Sequence, residues 1–353
     1  MELLNIIKII TPTLVAFTIG ILITPLLTKQ LYRHGAWKKK PGKQTLEGTE
    51  AIEFNKLHKE REREVPRMGG IIIWMSALIT IFGFWFVSFI WPSAETIKMD
   101  FLSRAQTWIP LFALGTGALV GLLNDILDIY FNGNGLSLRR RLTVVIGVAL
   151  FIGWWFYEKL EIISVGVPFG EPIEIGWLII PFFVLVTLAI YASGIIDGID
   201  GLAGGVFAMI FTAYSVIALA QNQIDLAAFS AMLVGAILAF LWFNIPPARF
   251  FMTETGTMAL TLTLATVAFM TDTLGDGIGI AVLPVIGFLL VATVASVILQ
   301  EFSKKVWKRK LFRVAPLHHH FEALGWPSTK VAMRYWVLGA VFGFFGVVLA
   351  LIG

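Results

Sequence analysis

Apolar residues run along this chain in long blocks parted by short polar stretches. Ten of the blocks approach the roughly 20 residues a helix needs to cross a hydrocarbon core. They lie near 7–28, 69–91, 108–130, 142–157, 176–197, 199–220, 226–243, 256–272, 278–300 and 331–352. Every backbone N–H and C=O inside a bilayer must be paired within its own segment, so each block predicts a helix. The first block is longer than a signal-peptide core and lacks a small-residue cleavage site, which predicts a retained helix. One connection, Glu161 to Trp177, instead alternates apolar and polar residues around Pro168, Phe169 and Gly170, which predicts a small β-hairpin. No fixed-period repeat, low-complexity tract or long linker divides the chain. The expected fold is therefore an all-α polytopic membrane protein of about ten transmembrane helices, one integral membrane domain over 1–353.

Composition agrees with this. The chain is 57% hydrophobic and 14% charged, with a mean hydropathy of +0.82, too apolar for a water-soluble domain. Of 27 Lys and Arg, 22 fall on one side of the predicted helices: 11 in 29–68, Arg139 to Arg141, Arg249, and seven in 301–330. Retained positive charge marks the cytoplasmic side, so both termini and the hairpin are predicted to be periplasmic. The pI near 9.2 does not point to nucleic acid, because the basic residues flank membrane spans, where anionic lipid attracts each by about 1 kcal/mol. Membrane lipid is the expected partner, and no nucleic acid. With no cysteine, disulfides and thiolate metal sites are excluded.

Against this background a carboxylate is conspicuous, since placing one in a spanning helix costs roughly 2.5–3.5 kcal/mol. Asp125 and Asp128 sit in Gly121-Leu-Leu-Asn-Asp-Ile-Leu-Asp-Ile-Tyr130, and Asp197 and Asp200 in Gly194-Ile-Ile-Asp-Gly-Ile-Asp-Gly-Leu202. The i, i+3 spacing puts each pair on one face if its segment is helical, at the cytoplasmic end of its span. Converging acids would raise one another's pKa values, whereas a hard divalent ion would keep them ionised, so Mg²⁺ is the expected cofactor. The competing reading makes them helix-end acids that pair with Arg139 to Arg141; it is preferred for Asp128, whereas the glycines around Asp197 and Asp200 favour a ligand-facing role there. Glu254, in a loop entering a helix, offers a further oxygen ligand. The adjoining Thr255-Gly256-Thr257 suits a phosphate at a helix N-terminus or ordinary capping by threonine equally well. His318, His319 and His320 cannot all bind one ion, because successive side chains diverge. Beside an acidic membrane face, phosphate or sugar contacts are favoured over solvated or core-packed histidines.

These residues also carry a likeness. Phe312-Arg-Val-Ala-Pro-Leu-His-His-His-Phe-Glu-Ala-Leu-Gly-Trp-Pro327 resembles the histidine motif of the phospho-N-acetylmuramoyl-pentapeptide transferases. Pro66-Arg-Met-Gly-Gly70 is similar to that family's Pro-Thr-Met-Gly-Gly, and Asp197-Gly-Ile-Asp-Gly-Leu-Ala203 to its Asp-Gly-Leu-Asp-Gly-Leu-Ala. Gly135-Leu-Ser137, Leu241-Trp-Phe-Asn244 and Ser296-Val-Ile-Leu-Gln300 also fit, in family order from about residue 60 onward.

The resemblance implies a Mg²⁺-dependent transfer of phospho-MurNAc-pentapeptide from UDP-MurNAc-pentapeptide to undecaprenyl phosphate, yielding lipid I and UMP, at the cytoplasmic face of a bacterial inner membrane. By position it implies metal binding by Glu254, Asp125 and Asp197, with Asp125, Asp197 and His318 catalytic. Asp200, Asn244 and Phe251 would hold uridine, Phe251 by stacking, while Arg141, His319 and His320 would contact the phosphates or sugar. A homodimer is one assembly open to the chain, whose sequence does not set the oligomeric state. The chain also departs from the pattern: Asp-Asp-x-x-Lys reads Asn124-Asp-Ile-Leu-Asp128, Gly194 replaces an asparagine, Glu254 the metal aspartate and Arg67 the motif threonine. Asn124 cannot act as a base, which supports a rival reading, a relative that binds lipid phosphate, nucleotide sugar or a partner without turnover. A transferase of phospho-GlcNAc is the lesser alternative, and a transporter would need a symmetry the halves lack.

Overall fold

The computed structural model describes residues 3–38, 64–103, 106–132 and 135–353. Much of the basic 29–68 loop, residues 39–63, lies outside the described residues. The first half contains α1 (Leu3–Arg33), α2 (Ile71–Ile90), the short α3 (Ala94–Met99), α4 (Trp108–Ile126) with its π-helical extension Leu127–Asn132, α5 (Leu138–Lys159) and α6 (Ile179–Ala192). There follow α7 (Leu202–Ala220), α8 (Ile224–Asn244), α9 (Thr253–Met270), α10 (Gly279–Ile286), α11 (Phe288–Trp307), α12 (Leu317–Ala323) and α13 (Ser328–Ile352).

Among the described residues, eight helices are long and apolar enough to span a bilayer, and the bent pair α10 and α11 makes nine. The tenth predicted run is α9, which is less apolar for a physical reason: its residues from Thr255 to Met270 are all buried by other helices. A helix shielded from lipid need not be greasy, and α9 carries Thr261, Thr263 and Thr266, whose hydroxyls donate to carbonyls one turn back at 2.8, 2.7 and 3.0 Å. The outer helices show the reverse. Only 17% of the apolar window of α1 and 22% of that of α13 is buried, and Leu22, Leu26, Phe344 and Phe345 stand exposed where lipid would meet them.

The run predicted over 278–300 is not straight, since α10 and α11 meet at 69°. Pro284 has no N–H to donate, and Gly287 at the junction lets the chain turn. The predicted hairpin is present as Ser164–Val165 paired antiparallel with Ile173–Glu174. Gly166 N donates to Asp272 Oδ1 at 2.7 Å and Phe169 N to the Gly353 carbonyl at 3.2 Å, so the hairpin end also holds the C-terminus. Lys8 pairs with Asp225 at 2.5 Å, and the neighbouring Gln223 reaches the Met270 carbonyl at 2.8 Å. The first helix therefore starts at that same end, and the start of α1 and the C-terminus both lie opposite the start of α9.

Candidate functional site

The site is built around the first turn of α9. Thr253 takes φ of +55°, a left-handed conformation costly for a β-branched residue, and its surroundings hold it there. Its N–H donates to Asp197 Oδ2 at 2.8 Å, and its hydroxyl donates to Asp125 Oδ2 at 2.5 Å while accepting from Met68 N at 3.1 Å. One threonine thus ties together α4, the loop after α6 and the segment before α2. Close backbone packing makes this possible. A Cβ on Gly121 would strike the Glu254 carbonyl, and one on Gly70 would strike Gly256. The 66–70 segment lies along 251–252, with Phe251 N donating to the Pro66 carbonyl and Gly69 N to the Phe251 carbonyl, both at 2.8 Å.

Asp125 is wholly buried. Its Oδ2 also accepts from Thr255 N at 2.9 Å and Thr255 Oγ1 at 2.6 Å, whereas Oδ1 is buried with no hydrogen bond. Arg67 bridges this acid and Asp128, with Nη2 3.5 Å from Asp125 Oδ1 and Nη1 2.8 Å from Asp128 Oδ2. The expected pairing of Asp128 with Arg139 to Arg141 is therefore corrected: Arg139 and Arg140 are exposed on α5, and Asp128 takes Arg67 instead. Arg141 reaches inward and forms an ion pair with Glu254. Asn124 does not face this cluster as a base would. Its Oδ1 accepts from Leu136 N at 2.9 Å and so fixes the loop that launches α5.

Asp197 and Asp200 do not share a helical face. The helix gives way to a 3₁₀ turn over Ser193–Ile196, and Gly201 at φ of +73° turns the chain before α7. Asp197 consequently faces Thr253, while the buried Asp200 accepts from Ala248 N at 3.0 Å. Asn244 is buried as well, accepting from Gly201 N at 2.9 Å and donating to the Phe250 carbonyl at 2.8 Å. Both residues shape the loop that presents Phe251, which is half-buried, whereas Phe250 is packed against Phe240 and Phe243.

The histidine motif reaches the same place from α12. Ser296 Oγ accepts from Leu317 N at 2.9 Å, and Gln300 Oε1 accepts from Phe312 N at 2.8 Å, docking the segment on α11. His318 and His319 are buried against Gly198, where an added Cβ would stand 2.6 Å from Nε2 of either ring. His319 Nδ1 bonds Glu322 at 2.7 Å. His320 is turned elsewhere: its Nδ1 accepts from Arg313 N at 3.1 Å, and burial, with the Arg313 guanidinium nearby, lowers its pKa. It organises the loop rather than facing the acids.

Asp125, Asp197 and Glu254 are thus gathered on one turn with two guanidiniums among them, and His318 and His319 border the same glycine loop. Among the described residues no three acids or histidines stand close enough to hold a metal ion as they are. Sequence reasoning missed Thr253 and the pairing of Arg67. The sole hint was the threonine cluster entering α9.

A membrane helical body with this site, matched over residues 107–272 by the model of glycosyl transferase family 4, is a membrane phospho-sugar transferase. The phospho-N-acetylmuramoyl-pentapeptide-transferase of Anoxybacillus flavithermus is 32% identical over 292 residues, covering 82% of this chain and 84% of that protein. That of Bacillus mycoides is 33% identical over 298 residues with the same coverage, and that of Geobacillus sp. 32% over 293. The chain belongs to the phospho-N-acetylmuramoyl-pentapeptide-transferase family.

Proposed function

We propose that the chain transfers phospho-MurNAc-pentapeptide from UDP-MurNAc-pentapeptide to undecaprenyl phosphate in peptidoglycan synthesis, working at the cytoplasmic face of a bacterial inner membrane. The observation that carries this reading is the meeting of Asp125 and Asp197 on Thr253, with Glu254 one residue on. Distant segments of the chain have no need to direct one buried and one half-buried carboxylate at a single turn unless that turn meets charge.

In the reaction an oxygen of the lipid phosphate attacks the sugar-linked phosphorus, the bond to the UMP oxygen breaks, and UMP departs with the electron pair. Such a transfer needs positioning and charge neutralisation more than covalent help from the protein. The lipid phosphate is a monoester already largely ionised at neutral pH, so Asn124 in place of a base is compatible with turnover. Phe251 offers a face for uracil, Arg141 can pass from Glu254 to a phosphate oxygen, and His318 and His319 line the loop beside Asp197.

The donor set fits Mg²⁺ by chemistry: it is all carboxylate oxygen, and the buried Asp125 Oδ1 lacks a hydrogen bond. Asp125, Asp197 and Glu254 would hold the ion, which would supply charge neutralisation on the diphosphate. The deciding experiment gives purified protein in detergent Mg²⁺, undecaprenyl phosphate and UDP-MurNAc-pentapeptide. UMP release supports transfer, and binding without release supports the rival without turnover.

A further inference from the structure

Arg67 is placed unusually for a surface cation. Its side chain is 19% exposed and lies between an acid that is fully buried and one that is 11% exposed. The backbone beneath it is clamped, since Pro66, Met68 and Gly69 all bond the 251–253 segment. The guanidinium therefore stands at a fixed place beside Asp125, with Asp128 gripping Nη1 and Nη2 too far from Asp125 for a strong hydrogen bond. An anion entering here meets Asp125, Asp128, Asp197 and Glu254. Arg139 and Arg140 are exposed on α5, and Arg141 pairs with Glu254, so Arg67 is the cation that lies between Asp125 and Asp128.

The geometry points to Arg67 as a phosphate-binding residue of this site, with Asp128 as the positioning residue that aims it. A guanidinium carries five N–H donors in a planar fork, so it can keep one carboxylate and grip a phosphate with its other edge. Binding then replaces the long Asp125 contact with a charge-assisted one, leaving Asp128 as the hinge. In the motifs the chain resembles, position 128 is a lysine and position 67 a threonine. Here the positive charge crosses the same gap from the other wall. The inference rests on the phosphoryl-transfer reading, and its ligand is a phosphate group borne by either the lipid or the nucleotide.

The test uses full-length protein in nanodiscs and compares wild type with Arg67→Met, Arg67→Lys, Asp128→Asn and the double variant Arg67→Thr/Asp128→Lys. Native mass spectrometry measures binding of undecaprenyl phosphate against undecaprenol, and calorimetry measures UDP-MurNAc-pentapeptide. Arg67→Met is expected to lose about tenfold in affinity for one phosphate ligand, with no change for the alcohol. Whichever ligand loses affinity identifies the phosphate. Asp128→Asn should lose about threefold, and the double variant, which moves the cation to the opposite wall, should recover to within about threefold of wild type. Should Arg67→Met not fold, Arg67→Lys, which keeps the charge but loses the fork, should show the same loss in smaller measure. Unchanged discrimination between phosphate and alcohol, together with unchanged nucleotide affinity, in either folded variant overturns the inference. UMP release by wild type in the same discs separates the two readings. Release with unaltered phosphate binding in Arg67→Met removes the role of Arg67 alone, and altered binding without release removes transfer alone.

Discussion

Asp125 and Asp272 are both buried carboxylates that accept backbone N–H groups, yet they lie at opposite ends of α9 among unlike neighbours. Asp272 is satisfied by Gly166 N at 2.7 Å and Ile280 N at 2.8 Å, so it staples the hairpin to the start of α10. Burial pushes its carboxyl up from 3.8 to about 6 even so, with the backbone donors pulling the other way. Asp125 keeps one oxygen without a hydrogen bond, has a guanidinium at 3.5 Å and borders a threonine in a strained conformation. A carboxylate saturated by backbone is a fastener. One left incomplete beside guanidiniums is poised for a ligand.

The contrast is broken first at Asp125. Asp125→Asn keeps an oxygen for Thr253 and Thr255 but removes the charge, and UMP release should fall by about a thousandfold while the melting temperature moves only a few degrees. Equal activity would make Asp125 another fastener. Next, Phe251→Leu removes the ring offered to uracil, and the KM for the nucleotide sugar should rise about tenfold with kcat little altered. A change confined to kcat would contradict stacking.

Thr253→Val, assayed by thermal unfolding and turnover together, should cost about 1–2 kcal/mol, because the lost hydroxyl leaves Met68 N without its acceptor and takes one of three donors from Asp125 Oδ2. The smallest effect belongs to the far end. Asp272 binds its proton more tightly folded than unfolded, so its contribution to stability is complete below 3.8 and is lost as pH rises past about 6. Relative to Asp272→Asn, the wild-type melting temperature should therefore decline by a few degrees across that window, with kcat unaffected. A parallel course for the two proteins would refute the assignment.

Local pattern exposed most of the architecture. Lipid demands apolar runs of set length, and the alternation from Glu161 to Trp177 marked the hairpin. Features set by contacts between distant residues were hidden. The 69° bend needs Pro284 and Gly287 to act together within an otherwise uniform run. The i, i+3 spacing of Asp197 and Asp200 misled because glycines end the helix there, and their separate roles depend on Thr253 and Ala248. Likewise Arg67, ahead of α2, finds Asp128 in the extension of α4, a pairing no periodicity encodes.

The account stands on phosphoryl transfer to a lipid by the acids at the start of α9. Donor labelled with ³²P at the sugar-linked phosphorus follows that step directly when supplied with undecaprenyl phosphate. The label should enter the organic-extractable lipid mole for mole with UMP released, and should stay in water when undecaprenol replaces the phosphate. UMP without labelled lipid, or no release from well-folded protein, would contradict it.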